Sequence, residues 1–475
     1  MPTADEKKFL CDQMCLELGK WLRIAGYDTA ILDNTLEDQK VYQKAVYEKR
    51  RLLTRDRYFI ELDPERKTVI YLKGESLDGW VEQLKEEEKV DWLYNPFSRC
   101  LHCNALLEKT DSPDVPEKIL ENTKEFWSCP DCCQIFWLGS HTERMLSTLK
   151  SWQDHEVVLT IGLGGDLMIG RLVDQFLEHR SPSYVWGDLH PLLAKMDFNL
   201  VNLETTLTRS KKLRIKVFNF KADPKRVAVL KEAPIHAVNI ANNHILDFAE
   251  EGLLETIEVL DAAHILHSGA GKDLSDAIKP AIFEKKGIKI GVIGCTDNEP
   301  DWKAGPSHPG TNFVDVGNLE LLREQITNLR SQVDLLILSV HWGPNMRRRP
   351  PSHFRDFAHA LIDLGVDIVH GHSAHVFQGV EIYKQKLILF DTGDLADDYA
   401  VDSELRNDLS FFFVVKANKK KMLSLEMIPT AISDFQVNLC QETESMELME
   451  KLCEELGSHP VRTMQGLVLS LHDAF

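Results

Sequence analysis

Strand-like apolar runs recur through the C-terminal part of this chain, at residues 157–161, 200–203, 237–240, 288–293, 335–340, 368–369 and 387–390, and most lead directly into side chains that bind metals. Between them, stretches such as 251–262 and 354–364 repeat apolar residues at helical spacing, a pattern that only a large α/β domain satisfies. A second, smaller pattern of the same kind precedes it. Short apolar runs at 9–11, 29–32, 52–54 and 69–72 alternate with helical stretches, which predicts a small parallel sheet. At 475 residues the chain exceeds what one core supports, so two or three domains are expected. The boundaries read as a small α/β domain over 1–90, a cysteine-bearing module over 91–148, a linker over 149–156, the large domain over 157–435 and a tail over 436–475. Residues 442–457 and 463–471 of the tail read as helix.

A net charge of −19 argues against nonspecific, whole-surface binding to nucleic acid or acidic membranes, while leaving room for a local basic cleft. No apolar run approaches the length of a membrane span, and the first eight residues lack the apolar stretch of a secretion signal, so a cytoplasmic protein without membrane insertion is expected. Of the ten cysteines, four fall into a metal-type pattern and six are scattered, as reduced thiols would be.

The four are Cys100, Cys103, Cys129 and Cys132, two Cys-x-x-Cys knuckles whose thiolates can close a tetrahedral zinc site with no open position. Such a zinc is structural. Upstream, Asp12 follows the first strand and Asp56 the third, which places both at the carboxyl edge of a parallel sheet. Asp33 or Asp38 could complete a cluster able to bind magnesium or manganese and activate water against a phosphodiester. Lys49, Arg50, Arg51, Arg55 and Arg57 supply positive charge beside it. Phe9-Leu10-Cys11-Asp12, Lys20-Trp21-Leu22-Arg23-Ile24-Ala25-Gly26-Tyr27-Asp28-Thr29, Leu52-Leu53-Thr54-Arg55-Asp56-Arg57, the two knuckles and Trp137-Leu138-Gly139-Ser140-His141 together resemble the Mut-seven C-terminal RNase family. Over about residues 8–148 that resemblance implies a PIN-like nuclease fold joined to a zinc ribbon. It also implies RNA as a partner and Asp12 and Asp56 as catalytic carboxylates; Arg55, from the basic run, is expected to meet substrate phosphate. Asp33, Glu37 and Asp38 compete for the place of the middle acid.

In the large domain five clusters stand at strand ends: Gly165-Asp166, Asn202-Leu203-Glu204, Asn242-Asn243-His244, His341-Trp342-Gly343 and His372-Ser373-Ala374-His375. Carboxylates, an amide oxygen and imidazoles are the mixture that holds two divalent ions around one bridging carboxylate. In order and wording the clusters resemble the CapA family of poly-gamma-glutamate capsule biosynthesis proteins, within the calcineurin-like metallophosphoesterase superfamily, over residues 157–435. The resemblance implies a four-layer α/β/β/α sandwich and one or two manganese, zinc or iron ions. Asp166 and His375 would hold one ion, Glu204 would bridge, and Asn243, His341 and His372 would hold the other. His244 would face the substrate as an acid or charge stabiliser while metal-activated water attacks phosphorus or a carbonyl carbon.

Two departures stand out. The superfamily's Asp-x-His opening is Asp166-Leu167-Met168 here, and a thioether is a poor ligand for hard divalent ions. Asp394, in the loop 390–399, is either the replacement ligand or a structural loop carboxylate. Arg347 and Arg348, with Arg349, could clamp an anionic small molecule or polymer, or form a solvated loop. The function expected is that of a bifunctional protein, a metal-dependent hydrolase with an RNase module. Phosphoesterase action on nucleotides or RNA ends, or nonenzymatic metal-dependent anion binding, are the alternatives, and the oligomeric state is left open.

Overall fold

Phe9 and Cys11 point to one side of strand β1 (Lys8–Cys11) and Leu10 to the other, so this strand is buried on both faces. With β2 (Asp28–Ile31), β3 (Arg51–Thr54) and β4 (Val69–Tyr71) it forms a fully parallel sheet in the order β2-β1-β3-β4. One face is covered by helices Leu16–Ile24, Leu77–Glu87 and Ser140–Asp154, and the other by Asp38–Tyr47 and Tyr58–Leu62. The computed structural model describes residues 7–32, 36–111, 115, 119, 125–154 and 157–471. It divides the chain into two units, Met1–Glu156 and Val157–Phe475.

The stretch expected as a linker belongs largely to the first unit. Helix Ser140–Asp154 runs through it because Leu149 and Trp152, three residues apart, both face the core. Trp152 packs edge-on against Trp21 and Trp92, with ring centroids 4.7 and 5.3 Å away, and its indole N–H donates to Asp78 Oδ1 at 2.9 Å. Trp152→Ala is expected to cost ~3–5 kcal/mol, the range for removing a buried tryptophan. An unchanged urea midpoint for the first unit would refute that placement.

The cysteine module is a three-stranded antiparallel sheet, β5 (Glu108–Thr110), β6 (Phe126–Ser128) and β7 (Ile135–Trp137). Each Cys-x-x-Cys turn ends on a residue with left-handed backbone, Asn104 at φ 76° and Cys133 at φ 60°. Cys133 therefore closes the second turn, its N–H donating to the Cys129 carbonyl at 3.0 Å. Arg23 and Asp28 of the long N-terminal motif explain why that motif accompanies the knuckles. Arg23, 6% exposed, donates to the carbonyls of Leu101 (2.8 Å) and His102 (2.9 Å), and Asn104 donates to Asp28 Oδ1 at 2.7 Å. The α/β sheet and the first knuckle are thus tied by partly buried polar bonds.

In the second unit, β8 (Leu159–Leu167), β9 (Phe198–Leu203), β10 (Ala237–Asn239) and β11 (Leu266–Ser268) pair in parallel. A second sheet runs β12 (Ala281–Lys285), β13 (Ile288–Thr296), β14 (Leu335–His341), β15 (Ile368–His372), then β17 (Lys386–Leu389) and the edge strand β16 (Val380–Tyr383). Strand β18 (Asp394–Ala396) pairs with β8, and β19 (Leu409–Ala417) and β20 (Met422–Ser433) extend the first sheet antiparallel. Side chains alternate across both sheets. Phe411 and Phe413 join Leu335 and Ile337 in the core between the sheets, whereas Phe412 and Val414 face one outer layer and Leu336 and Leu338 the other. Helix Ala249–Ala262 covers the first sheet, and helices Glu320–Arg330 and Ser352–Asp363 the second. The expected α/β/β/α sandwich is therefore present.

The tail differs from expectation. Strand β21 (Gln436–Leu439) opens it, helix Thr443–Glu455 follows, and β22 (Val461–Arg462) and β23 (Leu467–Ser470) return to the first sheet. Leu467, Leu469 and Leu471 enter the inter-sheet core with period two, a strand signal read above as helix.

Candidate metal centre

The carboxyl ends of the parallel strands in both sheets bring the predicted clusters together, as the edge rule for such sheets requires. Asp166 ends β8, Glu204 follows β9, and His341 and His372 are register partners at the ends of β14 and β15. Gly165 fixes the approach of the next strand: a Cβ there would lie 1.8 Å from the Gly393 carbonyl oxygen. Only glycine permits that contact, which sets Asp394 directly beside Asp166 in register.

Asp166 is the shared member of two groups of metal-type side chains, one with His341 and His372, the other with Glu204, His375 and Asp394. Its Oδ1 lies 3.6 Å from His341 Nδ1 and 3.5 Å from His372 Nδ1, and its Oδ2 lies 3.5 Å from His375 Nδ1. The two Nδ1 atoms of His341 and His372 are 3.0 Å apart, close to the roughly 3 Å separation of ring nitrogens that share one ion at ~2.0–2.1 Å. His375 Nδ1 is 2.9 Å from Asp394 Oδ1 and 4.0 Å from Glu204 Oε2. The expected bridge, Glu204, thus sits on one side only, while Asp166 stands where the two groups meet. The reason is directional: Asp166 points between the sheets, with Asn202 Nδ2 donating to its Oδ1 at 2.7 Å. Asn243 is brought to His341 through the ring's other nitrogen, Oδ1 to Nε2, at 3.1 Å. Met168 is fully buried.

The electrostatics call for a cation. Asp166, Glu204, Asp394 and Asp397 are all buried. Burial, then the Asp166 charge, pushes the Glu204 carboxyl well above its ordinary range, and burial raises Asp394 and Asp397 as well. Burial also opposes ionisation of Asp166, yet His341, His372 and His375 outweigh it and hold that carboxyl low. His375 is lifted well above the usual imidazole range, against its burial, by Asp394 and Glu204. Both Glu204 oxygens and Asp394 Oδ2 are buried without a hydrogen-bond partner. Unpaired buried carboxylate oxygens are costly unless they meet a positive charge, so this donor set fits divalent metal.

His244 borders the second group. Its ring stacks on Phe220 at 3.7 Å, its Nδ1 meets Asp247 Oδ2 at 2.7 Å, and its Nε2 lies 3.5 Å from Glu204 Oε1. Burial pushes its pKa down to about 4, so at neutral pH the ring donates Nδ1–H to Asp247 and turns a lone pair toward the site. Asp247 was not singled out from sequence as a site residue; its signal was its place three residues after His244. Lys216, on an irregular segment with no sequence signal, reaches the Asn243 carbonyl and lies 3.3 Å from Asp247 Oδ1. A cavity of about 600 Å³ opens here, bounded by Lys216, Phe220, Asn243, His244, His375 and Tyr399. Arg347 and Arg348 do not line it. Arg348 instead donates to the Leu405 carbonyl and lies over the Phe377 ring at 4.7 Å, and Arg349 pairs with Glu455 at 2.6 Å. Arg348 and Arg349 are thus engaged in packing and a surface ion pair, and among the described residues bounding the cavity Lys216 supplies the lysine or arginine charge.

In the first unit the four knuckle thiols gather, with Cys100 and Cys132 sulfurs 3.5 Å apart and Cys103 and Cys129 sulfurs 3.2 Å apart. Thiolates around one zinc at ~2.3 Å stand roughly 3.8 Å apart, so a small adjustment closes the tetrahedron. Thr54 links the two sheet-edge acids: its hydroxyl donates to Asp12 Oδ2 and accepts from the Asp56 N–H at 3.0 Å. Asp12 Oδ1 is buried without a partner. Glu37 pairs with Lys40 at 3.1 Å, Asp38 is exposed in the first turn of its helix, and Asp33 lies outside the described residues. Among the described residues no third acid joins Asp12 and Asp56 in a metal-type group. Arg55 is engaged by Glu75 at 3.5 Å and lies over the Trp80 ring at 5.5 Å.

Residues 160–399, half of the chain, match the family model described as bacterial capsule synthesis protein PGA_cap. The chain belongs to this family. Residues 7–149 match the Mut7-C RNAse domain, so both resemblances read from the sequence hold. A probable polyglutamine synthesis accessory protein of Mycobacterium tuberculosis is 31% identical over 364 residues, covering 66% of this chain and 95% of that protein. The PGA biosynthesis protein CapA of Bacillus subtilis is 28% identical over 254 residues, covering 53% of this chain and 66% of its own length. A 5'-nucleotidase precursor from Thermus thermophilus aligns with 63% of this chain and 59% of its own at 13% identity and a TM-score of 0.34, too distant to bear on function.

Proposed function

We propose that the second unit, residues 157–435 with its tail, is a metal-dependent hydrolase acting on an anionic substrate in capsule polymer biosynthesis, with poly-gamma-glutamate as the leading candidate. The observation that carries this reading is the pair of buried acid–imidazole groups sharing Asp166, with Glu204 unpartnered between burial and negative neighbours. Asp166, His341 and His372 would hold one ion, with Asn243 beside them, and Asp166, Glu204, His375 and Asp394 the other, Asp394 taking the place that Met168 cannot fill. Manganese, zinc or iron bound there would polarise the substrate oxygen and offset charge at the reacting centre. His244, kept in one tautomer by Asp247, would take up a proton at Nε2 and return it to the leaving oxygen, and Lys216 would attract the substrate's negative charge into the cavity. Replacing His244 by alanine is expected to lower turnover by ~10²–10⁴-fold while metal content stays unchanged; loss of bound metal would reassign His244 as a ligand.

For the first unit the reading is a ribonuclease module in which Asp12 and Asp56 hold magnesium or manganese, Arg55 meets RNA phosphate, and a zinc bound by the four cysteines keeps the ribbon folded. Reduced cysteines suit a cytoplasmic location. The test is metal analysis with turnover of poly-gamma-glutamate, phosphomonoesters, phosphodiesters and short RNAs, comparing wild type with His341→Ala and Asp56→Ala. Polymer cleavage lost only in the His341 variant supports the reading. Nucleotide or RNA-end turnover lost in that variant would make the large unit a phosphoesterase instead, and a single ion without turnover would make it a binding protein.

A further inference from the structure

Residues 209–221 form part of the cavity wall and carry six lysines and arginines with no acid, in a chain whose net charge is −19. Over residues 213–218 the side chains sort in the direction opposite to the usual one. Two cations turn inward: Lys216 lies 4.8 Å from the Trp302 ring centre and Arg214 lies 5.7 Å from it. The apolar groups turn outward, with Leu213 at 62%, Ile215 at 106%, Val217 at 88% and Phe218 at 58% exposure. Two further exposed apolar residues extend this rim. Leu172 follows Arg171, whose guanidinium lies over Phe218 at 5.5 Å, and Val401 follows Ala400, which lines the cavity beside Val217 and Phe218. Scattered apolar side chains on a surface need no explanation, but a contiguous group around a cavity mouth marks a docking surface.

We propose that this rim docks the protein onto an anionic lipid bilayer, Leu213, Ile215, Val217 and Phe218 entering the headgroup region. Lys211, Lys212 and Arg209 at the base of the same segment would meet lipid phosphates. Of these, Lys212 pairs with exposed Glu251, and the exposed Arg209 lies 3.7 Å from Glu255 and 3.9 Å from Asp223, both half-buried; ion pairs with a solvent-exposed cation are weak. Apolar tips flanked by exposed cations match the chemistry of an acidic membrane face, where acyl boundary and lipid phosphate meet them together. A second copy would set like charges against each other, and the tip is small beside the ~800 Å² per partner of a stable dimer. A soluble acidic polymer would pair with the cations and leave the apolar groups in water. The contact is interfacial: among the described residues no helix is long and apolar enough to cross a membrane. This docking goes beyond the catalytic reading and does not depend on it.

The test is co-sedimentation of the full chain with vesicles of equal parts phosphatidylglycerol and phosphatidylcholine, against vesicles of phosphatidylcholine alone. Binding to the mixed vesicles is expected to be about tenfold or more tighter, to weaken with salt, and to fall about tenfold or more in the double variant Leu213→Asp, Ile215→Asp with an unchanged melting curve. No retention on mixed vesicles, or equal retention of the double variant, would overturn the proposal. A lipid-free dimer that the double variant dissolves would give the rim to a second copy instead.

Discussion

Changing His341 to alanine is expected to lower turnover by the large unit by more than about 100-fold and to remove at least one equivalent of bound metal. His341 is fully buried at the end of β14, 3.6 Å from Asp166 and 3.0 Å from His372, so its imidazole has no role in packing the cavity mouth or meeting solvent. Loss of a residue that merely orients a ligand costs ~10–100-fold, and loss of the ligand itself exceeds that. Inductively coupled plasma analysis beside the kinetics separates the cases. Full metal content with full turnover would show that the Asp166 groups are a structural acid–imidazole cluster. Asp394→Asn provides the finer comparison: if Asp394 stands in for the histidine that Met168 displaces, this variant should lose the ion next to Glu204 while retaining the one next to His372.

Removing zinc from the ribbon is expected to unfold it and to destabilise the sheet to which it is tied. Structural zinc contributes ~10–16 kcal/mol to folding in isolated fingers, a large share for a sheet of three strands of three residues. Arg23 and Asn104 transmit the loss, since their partners are the knuckle carbonyls and Asp28. A chelator, or Cys129→Ser, should therefore lower the melting temperature of the first unit and leave the second unit's transition unmoved. An unchanged first transition would show that the four thiols hold no structural ion.

The layered fold was legible because its strands are buried on both faces and so appear as unbroken apolar runs, as in β14, where Ile337 faces one layer and Leu338 the other. The tail carries a strand signal, the alternation of Leu467, Leu469 and Leu471, but so short an apolar segment beside a helix does not fix its own period. Helix Ser140–Asp154 runs into the stretch expected as a linker because two aromatic contacts of Trp152, neither local in sequence, hold its last turn.

The candidate site divides in the same way. Which residues would meet was set by sequence, since the ends of parallel strands share an edge and each cluster lies just past an apolar run. Family membership followed from the same motifs. Which of the acids stands between the two groups, and which cation faces the cavity, were decided only by tertiary structure. Asp166 takes the shared position through its direction between the sheets and the register that Gly165 allows with Gly393, and Lys216 faces the cavity where the loop of Arg347 and Arg348 presents Asn345 and Met346 instead. Ligand chemistry is a property of side chains and is written in their order; separations of 3–4 Å depend on register, side-chain direction and loop path, which arise only when distant segments pack.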